Sequence, residues 1–508
     1  MSLSVVHTRA NLGIEAPLVT IEVHLSTGLP GFHLVGLPET TVKESRDRVR
    51  SAIINSGFEF PSNRITVNMA PADLPKGGGR FDLAIAIGIL VASEQIPLKD
   101  TSEFEFVGEL ALSGELRGIQ GALPMACAVK KSNRCLILPK TNANEAALVS
   151  STKVLAAQSL WDVYLHLTGK QTLPNAEAKL TSDHSTHDID LADIVEQQAA
   201  KRALILAAAG GHNILLYGPP GTGKSMLASR LVTIMPALPE DEALTVASIK
   251  SIVGEEVSTD NWQTRPYRTP HHSSSASAIV GGGSYPMPGE ITLAHKGILF
   301  LDELPEFGRH VLDVLREPLE TGEIHLSRAK HKVTYPADFQ LVAAMNPSPT
   351  GDHTDRRANA DQILRYLNRL SGPLLDRIDM QINVPKVDIK KSINAACQTN
   401  DVERLTSKQA RQGVQKAVDI QLARQAKLNA ALNTQELKLY CRLDDTCMQF
   451  LSNAAEKLGL SMRSFHRIIK VARTIADIAN VKDIQQNHIA EALSYRSFDK
   501  LLHQLANN

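Results

Sequence analysis

The chain has 508 residues, of which 43% are hydrophobic and 21% charged, with 54 basic residues balanced by 54 acidic ones. That length allows two to four domains, and the neutral balance excludes a generally polybasic nucleic-acid binder, so any anionic partner must meet local basic clusters. With no run of 18 apolar residues, no basic-then-apolar leader and five cysteines without a CxxC pair, the sequence reads as cytoplasmic, membrane-free and without a disulfide framework.

In chain order, residues 19–25 alternate as a half-buried strand, and the turn-rich run 30–38 breaks that pattern. Helical spacing holds over 40–56, strand character returns at 65–69, and an apolar helix follows the glycine-rich turn 75–80 over 81–92. Strand segments around 107–110 and 135–138 complete a mixed α/β unit over 1–168. Its histidines His7, His24 and His33 lack a metal-ligand spacing. The basic run Lys43, Arg46, Arg48 and Arg50 reads mainly as a solvated helix face, with phosphate contact as the alternative. Residues 66–90 and 107–121 resemble the Lon-type protease fold. That resemblance implies a serine after the glycine-rich turn and a lysine after the stretch that begins Gly108-Glu109. The chain instead has Gly79-Arg80-Phe81 and Ala122-Leu123-Pro124 there, with no nucleophile and deprotonating partner. The unit is expected to be a non-proteolytic platform for DNA or for ring assembly.

A polar stretch, 169–188, reads as a linker to a second unit over 189–385. Residues 214–217 are a short apolar run suited to a buried parallel strand. G-x-x-x-x-G-K-S follows at once, with Gly218, Gly223, Lys224 and Ser225 at the fixed positions, and 226–232 reads as a helix. Strand, loop and helix are the context a phosphate-binding loop requires. Glycines let backbone N–H groups converge on an anion, and the helix N-terminus adds partial positive charge. Gly218, Pro219, Pro220, Gly221, Thr222, Gly223, Lys224, Ser225 and Met226 are therefore the expected cradle for ATP. Lys224 is expected at the β- and γ-phosphates and Ser225 on Mg²⁺.

Residues 298–301 form a second apolar run, ending in Asp302 and Glu303. Asp302 is suited to holding Mg²⁺ and Glu303 to orienting the attacking water, a division of labour that phosphoryl transfer needs. A third run, 339–345, ends in Asn346, expected at the same sheet edge near the γ-phosphate. The interval from Lys224 to Asp302 is too long for one helix and a return strand, so something is inserted. It contains Arg265, Arg268, the pair His271-His272 (only superficially like a metal pair) and the glycine run 281–283, and reads as an extended loop or hairpin. A second hairpin, 323–335, alternates on both sides of a tip carrying Arg328, Lys330, His331 and Lys332. That concentration of positive charge suggests a finger aimed at an anionic partner.

From 386 to 508 the chain reads as helical: a charged helix over 407–431, then three or four more, with Gly459 as a stop and Ser461 as the next cap. Residues 460–473 look like the sensor-2 helix of an AAA+ lid, with Arg463 in its first turn.

Four stretches together carry a closer resemblance: A-A-A-G-G-H-N at 207–213, T-P-H-H at 269–272, F-L-D-E-L-P-E-F at 300–307 and S-G-P-L-L-D-R-I-D at 371–379. They resemble the bacterial ComM/YifB proteins, AAA+ ATPases related to the motor subunit of magnesium chelatase, and the likeness covers almost the whole chain. It implies a Lon-like N-terminal α/β domain, an AAA+ P-loop core with a parallel sheet, and a C-terminal α-helical lid. It further implies a homo-hexamer whose assembly could require ATP and DNA, with hairpins facing the pore. The implied activity is a branch-migration helicase acting on single-stranded and branched DNA during natural transformation. Asn346 takes the sensor-1 position, Arg377 that of a finger reaching the neighbour's γ-phosphate, and Arg463 that of a second γ-phosphate contact, in cis or on a neighbouring subunit. Two departures stand out. Relatives commonly carry cysteines just after the Asn-Pro dipeptide, where this chain has Ser348 to His353, and they have a glycine-glutamine pair where it has Glu196-Gln197. The rival readings are a motor that remodels a protein partner and an ATP-dependent protease, the second opposed by the missing dyad.

Overall fold

The computed structural model describes residues 2–36, 40–74, 76–97, 100–178, 189–283, 285–327, 332–348, 360–386 and 404–499. Arg328, Lys330 and His331, the loop from Pro349 to His353, and residues 179–188 of the polar linker lie outside them. The chain divides into two compact units. The first comprises Met1–Ser185 with Pro239–Thr264 and Ser327–Tyr335; the second comprises Thr186–Leu238, Arg265–Leu326 and Pro336–Asn508.

The first unit is built on a mixed seven-stranded sheet. Its order is Gly31–Val35, Arg64–Ala70, Leu18–Ser26, Ser2–Arg9, Phe104–Phe106, Cys135–Pro139 and Lys153–Ala157. Alternation in Leu18–Ser26 puts Val19, Ile21, Val23 and Leu25 on one buried face. Against that face lies the helix Asp82–Ala92, apolar all round and almost wholly buried. It rides so close that a Cβ at Gly88 would come 2.6 Å from a Val23 methyl, and Ser4 Oγ donates to the Gly88 carbonyl at 2.7 Å. Residues 31–35, read from sequence as part of a turn-rich break, instead form a parallel edge strand against Arg64–Ala70. An edge position tolerates the glycine that obscured it. The basic run of the helix Thr40–Asn55 is engaged locally. Arg48 Nε pairs with the buried Asp82 at 2.8 Å, Arg46 with Asp47 at 3.1 Å, and Arg50 lies over the Phe60 ring at 5.4 Å. The helix Glu240–Val253 packs on Ala122–Ser132, with Gly121 N donating to Ser251 O at 3.0 Å.

In the second unit, five parallel strands run in the order Tyr267–Arg268, Ile298–Leu301, Gln340–Met345, Ile214–Tyr217 and Met380–Asn383. Ile214–Tyr217, Ile298–Leu301 and Gln340–Met345 are buried throughout, as strands covered on both faces must be. Their core continues into Gln198–Gly210, Lys224–Ile234, Ser407–Gln425 and Met462–Ile478. The unit is thus α/β with a parallel central sheet and a helical C-terminal region. The helix read over 407–431 ends at Gln425, because Ala426 turns left-handed at φ 55°, and a separate 3-10 turn spans Asn429–Ala431. Four further helices follow, with Gly459 at φ 61° and the Ser461 side chain accepting from Ser464 N. The insert before Ile298 is a short helix, Ala276–Val280, and a small ribbon of Gly281–Gly282 with Met287–Pro288. The basic hairpin is a ribbon of Glu323–Ser327 and Lys332–Pro336, with Ile324, Leu326, Val333 and Tyr335 buried and the intervening residues exposed. No helix among the described residues is long and apolar enough to cross a membrane.

Glu196 adopts φ 58° and is exposed. A left-handed non-glycine residue costs about 1–2 kcal/mol, whereas glycine adds about 0.4–1 kcal/mol of unfolded-chain entropy. Glu196→Gly should therefore stabilise the second unit by up to about 1 kcal/mol. A rise in urea midpoint at unchanged slope would show it, and a fall would not fit.

Candidate functional site

The loop after Ile214–Tyr217 takes its path because glycine is required at three points. A Cβ at Gly218 would come 2.2 Å from the Val384 carbonyl oxygen, while Gly221 and Gly223 turn left-handed at φ 75° and 84°. Lys224 then begins the helix Lys224–Ile234. Its buried ammonium curls back over the loop, donating to Gly218 O at 2.8 Å, Pro219 O at 2.9 Å and Asn346 Oδ1 at 3.1 Å. Burial pulls the Lys224 pKa down, and the nearby Asp302 carboxylate opposes that shift. Thr222 Oγ1 closes the turn on Pro219 O at 3.1 Å.

Parallel pairing brings the ends of Ile298–Leu301 and Gln340–Met345 to the same sheet edge. There Ser225 Oγ donates to Asp302 Oδ2 at 2.6 Å, and Glu303 N donates to Asp302 Oδ1 at 2.9 Å. A hydroxyl and a carboxylate oxygen are the hard donors that Mg²⁺ prefers, so the residues present fit that ion. Glu303 is left-handed at φ 53°, a strained conformation for glutamate, and its side chain is half exposed. Together Pro220 to Met226, Asp302, Glu303, Met345 and Asn346 line a cavity of about 430 Å³.

Arg377 and Arg463 do not line that cavity. They lie in a separate arginine cluster with Arg316 and Arg467. Arg377 donates to Pro373 O at 2.6 Å and pairs with Glu320 at 2.5 Å, while Arg463 is exposed in the first turn of Met462–Ile478. Arg265 and Arg268, grouped by sequence with the candidate DNA contacts, are turned into the fold. Arg265 bonds the carbonyls of Pro236 and Lys296, each at 2.6 Å, and Arg268 forks onto Glu290 at 2.7 and 2.9 Å. Of the basic hairpin tip, the described Lys332 is exposed.

Two contributors escaped the sequence reading. His272 Nδ1 stands 3.5 Å from Glu303 Oε2, and its ring lies 4.1 Å from that of His271. The histidine pair was visible as a motif, but nothing local names its carboxylate. Asn213 fastens three strands: its N–H donates to Asp379 Oδ2, its Nδ2 to Arg377 O, and its Oδ1 accepts from Leu341 N.

Asp379 is buried, which alone would raise its pKa. The Arg467 guanidinium and the His212 ring, whose Nδ1 lies 3.6 Å from the carboxylate, outweigh burial and hold it well below the usual carboxylate range. Its folded pKa lies below the unfolded value of about 3.9, so its stabilisation is complete above that value and fades as pH falls toward the folded one. Asp379→Asn should cost about 3 kcal/mol. The gap from wild type should be the same at pH 7 and pH 5.5 and narrow only below about pH 4. Urea unfolding of both proteins across that range measures it, and a gap that narrows already near neutrality would not fit.

Residues 190–392 match the family described as "Magnesium chelatase, subunit ChlI", residues 21–142 match "Subunit ChlI of Mg-chelatase", and residues 404–496 match "Magnesium chelatase, subunit ChlI C-terminal". The chain is 55% identical to the competence protein ComM of Haemophilus influenzae, with 100% of each chain covered. It is 52% identical to the YifB protein of Escherichia coli, over 99% of this chain and 98% of that one. A magnesium-chelatase 38 kDa subunit of Cereibacter sphaeroides is 28% identical over 171 residues, 30% of this chain and 51% of that one. Such AAA+ relatives imply an ATPase that uses ATP and Mg²⁺. Identity above one half along the whole chain, over a parallel sheet that ends in this loop and carboxylate pair, makes the protein a member of the ComM/YifB family of magnesium-chelatase-like AAA+ proteins.

Proposed function

We propose that the protein is an ATP-driven DNA motor, a cytoplasmic homo-hexamer that migrates branches in homologous recombination during natural transformation. The observation that carries this reading is the contact web in which Lys224 reaches Asn346 and Ser225 reaches Asp302, drawing three strand ends around one cavity. Full-length identity to a competence protein supports the DNA half.

In this reading the left-handed glycines turn backbone N–H groups toward a triphosphate, and Lys224 exchanges its carbonyl partners for phosphate oxygens. Ser225 and Asp302 would hold Mg²⁺, which would supply charge neutralisation for phosphoryl transfer. Glu303 orients the attacking water, and Asn346 fixes the γ-phosphate side of the cavity. Arg377 and Arg463, which do not line the cavity of their own protomer, act on a neighbour's triphosphate. Lys332, with Arg328, Lys330 and His331, meets the DNA backbone. Arg265 and Arg268 serve instead as anchors of the insert, since their guanidinium groups are committed to Pro236, Lys296 and Glu290. The N-terminal region acts as a Lon-like, non-proteolytic platform. The Glu109 carboxylate crowds Gly79, where a Cβ would come 2.6 Å from it, and no nucleophile replaces the missing serine. The domain scheme that accompanies this function is 1–168 platform, 169–188 linker, 189–385 core and 386–508 lid.

Lys224→Ala should abolish binding of a fluorescent ATP analogue, whereas Glu303→Gln should bind it normally and lose about 100-fold or more in turnover. Equal binding by both variants would remove Lys224 from the cradle. Changing Lys330 and Lys332 together to alanine should weaken single-stranded DNA binding and lower its salt slope by about one per lysine. An unchanged slope would take both residues out of the contact. ATP hydrolysis by the wild type that ignores DNA would turn the reading toward a motor that remodels a protein partner.

A further inference from the structure

Arg377 is in an unfavourable place for a cation. Its side chain is 10% exposed, and its buried Nε has no hydrogen-bond partner. Burial depresses its pKa, and Arg463, Arg467 and Arg316 add like-charge repulsion. Two of those neighbours have carboxylates of their own: Asp379 takes Arg467, and Asp313 takes Arg316 at 2.6 Å. Arg377 is balanced by Glu320, whose Oε1 lies 2.5 Å from Nη2.

Glu320 is 57% exposed, so its carboxylate remains in reach of water and is free to leave. It sits in the helix Pro318–Thr321, which stops at Gly322, left-handed at φ 71°. The basic ribbon begins on the next residue, as Glu323–Ser327. Short bonds close this corner: Ala337 N donates to Gly322 O at 2.7 Å, and Thr321 Oγ1 donates to Glu323 O at 3.1 Å. The counter-ion of Arg377 and the root of the ribbon are therefore separated only by Thr321 and Gly322. Displacing the strand by an ångström or two must be absorbed at Gly322 or passed to Glu320.

We propose that Glu320 is a positioning residue: it holds Arg377 withdrawn in the lone protomer and lets go when a nucleic-acid strand displaces the ribbon that starts at Glu323. The inference rests on the reading above, in which Arg377 serves a neighbour's triphosphate and the ribbon meets DNA. Once Glu320 leaves, three arginines repel Arg377 and its guanidinium is open to another two-pronged anion. A triphosphate offers one. No covalent bond changes; one guanidinium trades a carboxylate for phosphate oxygens. A half-exposed ion pair suits this work because it is weak enough to open at each cycle.

The test is steady-state ATP hydrolysis by the full chain, with and without saturating single-stranded DNA, in wild type, Glu320→Gln and Glu320→Asp. Glu320→Gln should raise the DNA-free rate about two- to fivefold, the equilibrium worth of such a pair, and lower the stimulation ratio correspondingly. Glu320→Asp, which keeps the charge, should stay near the wild-type ratio. Against an Arg377→Ala background, where the residual rate is low, Glu320→Gln should bring no further change, whereas a glutamate acting on the fold and not through Arg377 would shift that residual rate as well. A DNA-free rate in Glu320→Gln equal to wild type overturns the latch, whether or not DNA stimulates. A wild type indifferent to DNA, with Glu320→Gln still raised, would leave the latch standing and defeat the DNA reading instead.

Discussion

The second unit depends on one junction at the starting edge of its central strand. Asn213, just before Ile214, receives the N–H groups of Asp379 and Met380 on its carbonyl and of Leu341 on its side chain, while its own groups reach Asp379 and Arg377. Three parallel strands are thereby fastened at the same end, in the register that sets Ile214 opposite Val342 and Met380. Fixing the starting ends fixes the finishing ends as well, because each residue advances a strand by about 3.3 Å. The loop and Asn346 meet at the finishing edge for that reason, and Asp302 joins them because Ile298–Leu301 pairs in register with the strand that ends before Asn346. Asp379 extends the junction to the C-terminal helix through Arg467, and the buried Arg496 bonds both Ile378 O and Ser464 Oγ. The segments carrying Arg377 and Arg463 are consequently held together, although they are far apart in the chain.

Charge in this unit is arranged by commitment more than by quantity. Lys224 is desolvated and tied to carbonyl oxygens, so an arriving phosphate meets a cation already stripped of much of its water. Arg268, Arg467 and Arg496 are each paired with a carboxylate, and they support backbone geometry. Arg377 is intermediate, buried yet paired with an exposed glutamate. The arginines most similar in a sequence thus have different jobs, and the difference lies in what faces them.

Legibility in the sequence followed locality. Gly218 to Ser225 and the pair Asp302-Glu303 were readable because each motif adjoins an apolar strand and its spacing is set by a few consecutive residues. The helix Glu240–Val253 was hidden because its buried face answers the helix Ala122–Ser132 of the first unit, a partner more than a hundred residues away. Residues 31–35 were hidden because an edge strand needs little apolar character, and its pairing with Arg64–Ala70 is non-local. Arg265 and Arg268 looked like free cations because the carbonyls and the Glu290 carboxylate that hold them come from elsewhere in the insert. His272 beside Glu303, and Glu320 beside Arg377, were equally out of reach: an ion pair across elements leaves no trace in spacing.

The central claim, that this cavity powers movement on branched DNA, is tested most directly with a synthetic four-way junction. Wild-type protein, ATP and Mg²⁺ should convert it to branch-migrated product, whereas Glu303→Gln with ATP, and wild type without it, should not. Intact ATP hydrolysis with no product from the junction would contradict the account.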